Sequence, residues 1–374
     1  MWAGEHGWVS KDAMFAGVIF RAAGAIMLAF VIVLLSGGKV IRWLLKQKVG
    51  DRPEFHNATL NELTKHKGNT PTMGGIMIIG SILVSTLLMA DIGNFYVDMA
   101  MLCLVYLAGL GAIDDWLKLT TARRTPGSRD GLIAWEKMVF QIGLGVLLAV
   151  FIYYHPNKLP DQAADATVNA HRLNWPFVPS TVTLTWWLFA ILTVIVITGT
   201  SNAVNLTDGM DGLAGGCMAI VAFAFLALAY VTGDYRWAPL LHFTWVQHSG
   251  ELAIVCGAIT GACLGFLWYN CNPAQVFMGD TGSLALGGVI GYVAIVIRQE
   301  PMLLLIGGIF VIEASSVIMQ VGYFRATGGK RIFLCSPIHH HFHLKGWSEQ
   351  QVVVRFWLIS ALCAAFGLAT VKLR

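Results

Sequence analysis

Residues 202–231 read NAVNLTDGMDGLAGGCMAIVAFAFLALAYV. From Gly212 to Val231 no residue carries a charge, and a helix needs roughly 20 apolar residues to cross a bilayer core about 30 Å thick. The residues just before it include Asn205, Asp208 and Asp211. An apolar span with polar, acid-bearing residues at its mouth marks a membrane helix with its chemistry at one end.

Working outward, apolar segments of similar length recur at 14–35, 73–90, 97–113, 135–154, 182–200, 251–269, 283–298, 302–321 and 352–371, making ten with 212–231. Of the 374 residues, 56% are hydrophobic and 12% charged, against about 25% charged in a soluble domain. The predicted fold is therefore an all-α polytopic integral membrane protein, a single transmembrane domain over 1–374. The first span carries Arg21 and is followed by no clear small-residue cleavage site, so it reads as a retained helix. With alternating spans, sixteen Lys and Arg fall on one side and seven on the other. Basic loops stay in the cytoplasm, which predicts both termini outside, in the periplasm of a Gram-negative cell. The basic face would attract anionic lipid heads and phosphorylated substrates.

The seven cysteines are scattered without a CxxC pair, which argues against a disulfide framework or a zinc site. No internal repeat is evident, and the Pro-bearing loop at about 155–180 reads as an ordered cap or a spacer.

The loops assigned to the basic side hold the chemistry. HKGNTPTMGG at 66–75 sets Lys67 and Thr72 around a Gly/Pro turn; a Lys beside such a turn can grip phosphate, and a flexible basic loop is the other reading. DDWLK at 114–118 puts Lys118 at i+4 from Asp114 and i+3 from Asp115. Adjacent carboxylates call for a cation or proton between them, unless they only mark a solvated helix end. Asp208 and Asp211 are placed to cap a helix or to bind a ligand. In NCNPAQVFMGDTGS at 270–283, Asp280 is a candidate hard oxygen ligand. Asn270 is a polar partner there, and Phe277 is either a stacking surface or a membrane anchor. His339, His340 and His341 follow in a basic stretch, where phosphate or sugar contacts suit them better than zinc. For Glu313, inside the ninth span, an interhelical hydrogen bond is expected rather than a proton relay.

TPTMGG at 70–75, DDWLK at 114–118, NLTDGMDGL at 205–213, FMGDTGS at 277–283 and PIHHHFHLKGW at 337–347 together resemble the polyprenyl-phosphate N-acetylhexosamine-1-phosphate transferase superfamily over essentially the whole chain. The His triplet and KGW segment look like its muramoyl-pentapeptide branch, although His343 stands where many relatives carry an acid. The resemblance implies transfer of a phospho-sugar-pentapeptide from UDP-N-acetylmuramoyl-pentapeptide to undecaprenyl phosphate. The products are UMP and the first lipid-linked precursor of peptidoglycan, made with Mg²⁺ at the cytoplasmic face of the bacterial inner membrane. It also implies ten helices and a homodimer; nucleic acid is not an expected partner. By similarity Asp280 binds the metal, while Lys67, Thr72, Lys118 and Lys137 line the phosphate region. Asn205, Asp208, Asp211, Asn270 and Phe277 would hold the nucleotide and pyrophosphate, His339 to His341 the sugar-phosphate side, and Asp114, supported by Asp115, would take a proton from the lipid phosphate. Direct attack by the lipid phosphate is favoured over an aspartyl-phosphate intermediate. The competing functions are transfer of N-acetylglucosamine-1-phosphate to the same lipid and, from another class, secondary transport.

Overall fold

The computed structural model describes residues 17–47, 70–124, 131–155, 172–177 and 181–371. Both chain ends and Lys67 lie outside them. Among the described residues nine helices are long and apolar enough to cross a membrane, and a tenth, shorter apolar helix accompanies them. The chain is thus an all-α, multi-pass membrane protein.

The helices are α1 (Val18–Lys46), α2 (Gly75–Met89), α3 (Phe95–Arg124), α4 (Ala134–Tyr154), α5 (Trp186–Thr207), α6 (Leu213–Gly233), α7 (Leu252–Asn270), α8 (Gly279–Val296), α9 (Glu300–Ile306), α10 (Gly308–Ala326), α11 (Ile338–Leu344) and α12 (Glu349–Thr370). At the centre stands α8, buried at every position from Asp280 to Val296. Its neighbours are chiefly α3 and α5, with α2 and α6 touching it as well. Close approach rests on small residues, as apolar attraction between helices is weak in lipid. Gly287, for example, lies against the backbone of Thr200 and Ser201 on α5. The outer helix α1 does the same against α7, through a buried stripe of Ala22, Ala25, Ala29, Val33 and Gly37 spaced three or four residues apart.

Three expected boundaries move. The second span is only 15 residues long. The eighth helix starts at Gly279, not 283, so Asp280 sits in its first turn and not in the preceding loop. The ninth span is broken into α9 and α10 at Gly307–Gly308, a pair whose low helix propensity favours a kink.

The two ends of the bundle differ. At one, Arg21 pairs with Glu251, whose carboxylate also accepts the Asp91 amide at 2.9 Å. Strands β1 (Arg172–Asn174) and β2 (Thr181–Thr183) form an antiparallel pair, Leu173 opposite Val182, and Asn174 donates to the Arg298 carbonyl at 3.1 Å. Of the loop expected as an ordered cap or a spacer, the described residues 172–174 thus form a strand that contacts the Arg298 carbonyl. The acid-bearing motifs gather at the other end.

A Cβ at Gly261 would run into the Ile26 carbonyl oxygen, whereas one at Gly80 would meet nothing within 4 Å. Gly261→Val is expected to destabilise the protein by about 1–3 kcal/mol and Gly80→Val to leave it near wild type, as read by thermal unfolding in detergent micelles.

Candidate active site

The first turn of α8 exposes backbone amides without helical partners, and a side chain from α3 takes them. Asp115 Oδ1 accepts the Asp280 amide at 3.1 Å; its Oδ2 accepts the Thr281 amide at 3.0 Å and the Thr281 hydroxyl at 2.7 Å. A carboxylate at a helix N-terminus is favoured by the helix dipole as well. One turn earlier, Gly111 lets α3 come so close that a Cβ there would strike the Asp280 carbonyl.

Asp280 is thereby fixed in a cage. Its Oδ1 accepts Asn205 at 2.8 Å, which also donates to the Ser283 hydroxyl at 2.9 Å. Its Oδ2 accepts Lys118 at 3.1 Å and Lys137 at 2.8 Å. The same two ammonium groups reach Asp114 Oδ2, at 2.7 Å from Lys118 and 2.6 Å from Lys137, while Asp114 Oδ1 accepts the Leu132 amide at 2.7 Å. The i,i+4 relation of Asp114 and Lys118 is thus realised, and Lys137 on α4 completes the bridge.

Carboxylate oxygens of Asp114, Asp115 and Asp280 lie within 4.8 Å of one another. Three carboxylates against two ammonium groups leave net negative charge in a confined, hard-oxygen environment. Such a donor set fits a small divalent cation, which takes one or two carboxylates and fills its remaining positions with phosphate and water. Asp208 follows the last turn of α5; burial first, then the charges of Asp280 and Asp115, push its carboxyl up to about 8. It does not cap α6, whose N-cap is Gly212 at φ 80°.

Thr72 joins the same centre because the TPTMGG segment lies alongside residues 277–278. Phe277 donates to the Pro71 carbonyl, Gly74 to that of Phe277 and Gly75 to that of Met278, each at 2.8 Å. A Cβ on Gly279, whose φ is 74°, would stand 3.0 Å from Thr72 Oγ1.

The other expected residues form two flanking groups. Asp211 is buried and accepts from Asn272 Nδ2 and the Ala274 amide, both at 3.1 Å. Asn270 accepts the Gly212 amide at 2.9 Å and donates to the Val276 carbonyl at 2.8 Å. These two tie the 208–213 turn to the 270–278 loop, in which Phe277 is half-buried. In the third group His339 and His340 are buried and His341 half-buried. His339 Nδ1 lies 3.1 Å from Glu313, the interhelical bond expected of that acid, and His341 Nδ1 accepts the Leu334 amide at 3.1 Å. Sequence reasoning passed over Ser283 and Thr281, although both lie in the quoted FMGDTGS motif. It also passed over Glu349, which accepts the Asp211 amide at 2.9 Å and whose only sequence signal is its place after the Ser348 cap.

A membrane-embedded bundle with acids and lysines gathered at one end of a buried central helix defines a class, and sequence comparison agrees. Residues 97–298 match the model for glycosyl transferase family 4, and the chain belongs to that family. It is 44% identical over 366 residues to the phospho-N-acetylmuramoyl-pentapeptide-transferase of Desulfotalea psychrophila, an alignment covering 96% of this chain and 95% of that protein.

A carboxyl raised in the folded state favours folding at low pH. For Asp208 that contribution is complete below the ordinary carboxylate range, about pH 4, and is lost as the pH rises through about 8. Metal-free protein is expected to melt at progressively lower temperature between about pH 4 and about pH 8, and Asp208→Asn to flatten that slope.

Proposed function

We propose that this chain transfers phospho-N-acetylmuramoyl-pentapeptide from its UDP-linked donor to undecaprenyl phosphate, releasing UMP and forming the first lipid-linked intermediate of peptidoglycan synthesis. The observation that carries this reading is the Asp114, Asp115 and Asp280 cluster, bridged by two lysines and set in a chain closely similar to a transferase of that name. The reaction brings an anionic phosphate against an anionic pyrophosphate, so positive charge must stand where the two meet.

In this reading Asp280 holds Mg²⁺, with Asp114 the nearest second carboxylate. When bound, the ion would screen the pyrophosphate and stabilise the charge that builds on the leaving phosphate. Lys118 and Lys137, now shared between Asp114 and Asp280, are placed to turn toward substrate phosphates, with Thr72 beside them; Lys67, by resemblance, would serve the same phosphates. Asn205 orients Asp280 through its Oδ1. Asp208, Asp211, Asn270 and Phe277 form the nucleotide and pyrophosphate side, the last by stacking on uracil, and His339, His340 and His341 the sugar-phosphate side.

Direct attack by the lipid phosphate is the better supported route. Both oxygens of Asp115 are occupied by the head of α8, and those of Asp114 by the Leu132 amide and the two lysines, which leaves neither poised as a nucleophile. A strong base is not needed either, since a phosphate monoester loses its second proton near pH 6 and is largely ionised at neutrality.

The rest of the reading is that the chain acts as one transmembrane domain, as a homodimer, in the bacterial inner membrane with its chemistry on the cytoplasmic face. The sixteen basic residues on the side of the acid-bearing loops support the orientation.

Purified protein in detergent with undecaprenyl phosphate is expected to release UMP from UDP-N-acetylmuramoyl-pentapeptide in the presence of magnesium, and not from UDP-N-acetylglucosamine. Asp280→Asn is expected to lower kcat by about 10²–10³-fold or more with the melting temperature retained. UMP release at a competent rate without lipid acceptor, or a trapped phosphoaspartate, would overturn direct attack.

A further inference from the structure

Glu313 is buried in the middle of α10 with no measurable exposure, and so is its partner His339. An ionisable side chain at such depth is costly unless it performs a task. Buried ion pairs contribute little net stability, and apolar replacements of similar volume are often as stable. The geometry indicates what the task is.

The 3.1 Å contact between Glu313 Oε2 and His339 Nδ1 fixes the orientation of the ring, and a carboxylate accepting there would hold the ring hydrogen on Nδ1. The opposite ring atom, Nε2, is buried and has no hydrogen-bond partner among the described residues. It faces Gly209, where any side chain would collide with it. Gly209 lies between Asp208, three residues past the Asn205 that donates to Asp280, and Asp211. Seven residues along the same helix, Gln320 accepts the Ile332 amide at 3.1 Å and the Phe333 amide at 2.9 Å, fixing the loop that leads into α11. Thus α10 holds the His segment at two points, and the segment in turn abuts the 208–211 turn.

Resting on the function proposed above, we propose that Glu313 is a positioning residue for the transfer reaction: it holds His339 with its hydrogen on Nδ1, and the ring so oriented seats the Asp208–Asp211 turn against the acid centre.

Glu313→Gln removes this constraint with little change in volume, because an amide can either accept from Nδ1 or donate to it. The test combines Glu313→Gln, His339→Asn and the double variant, with UMP release assayed on protein that elutes as a single species in detergent, alongside ¹⁵N spectra of histidine-labelled protein in which the His339 signals are assigned by their loss in His339→Asn. The expected result is a fall in kcat of about a hundredfold for Glu313→Gln, a double variant no slower than His339→Asn alone, and a His339 hydrogen that resides on Nδ1 in wild type and is shared between the two nitrogens in Glu313→Gln. Additive losses, an unchanged rate in Glu313→Gln, or a wild-type His339 hydrogen on Nε2 would overturn the proposal. The last result does not depend on the activity of any variant. A wild-type protein that releases no UMP would instead count against the proposed function, while the ¹⁵N readout would still judge the role of Glu313.

Discussion

Asp115 grips the head of α8 from the neighbouring α3. Its carboxylate accepts two backbone amides and a hydroxyl there, groups that no helical bond can satisfy and that lipid cannot solvate. This clamp fixes where α8 begins. Because Asp280 is the residue whose amide it holds, it also fixes the position of the carboxylate best placed to bind a cation. Asn205, Lys118 and Lys137 then converge on Asp280 from three other elements, and the close α3–α8 approach at Gly111 keeps the geometry tight.

From that constraint follows the electrostatic character of the site. Carboxylates this close repel strongly when water is scarce, and two lysines offset most but not all of the repulsion. The remaining negative charge suits a divalent cation, and after burial it helps push the Asp208 carboxyl up to about 8. In the proposed reaction the same lysines that neutralise the acids would meet the incoming pyrophosphate. The site thus stores positive charge near the reaction centre without leaving it unpaired.

Around this centre the flanking residues act as ties between loops. Asp211 and Asn270 hold the turn before α6 to the loop before α8, and α10 steadies the His segment through Glu313 and Gln320. Such ties matter because the reacting groups come from separate spans, and a shift of about 1 Å in one of them is enough to slow a reaction severely.

Much of this was legible in the chain itself. Predominantly apolar runs marked the spans, because lipid favours apolar helices, and among the described residues nine of them are helices long enough to cross a membrane. The motifs at 114–118, 205–213 and 277–283 identified the acids, and the i,i+4 spacing alone joined Lys118 to Asp114. The sequence could not say that Asp115 would spend both oxygens on α8, that Asp280 would stand in a helical turn, that Gly307–Gly308 would break the ninth span, or that Arg21 and Glu251 would find each other 230 positions apart. Spacing reports on neighbours within one helix. Which acid meets which amide or lysine across helices is set by how closely the backbones pack, and only the tertiary structure decides that.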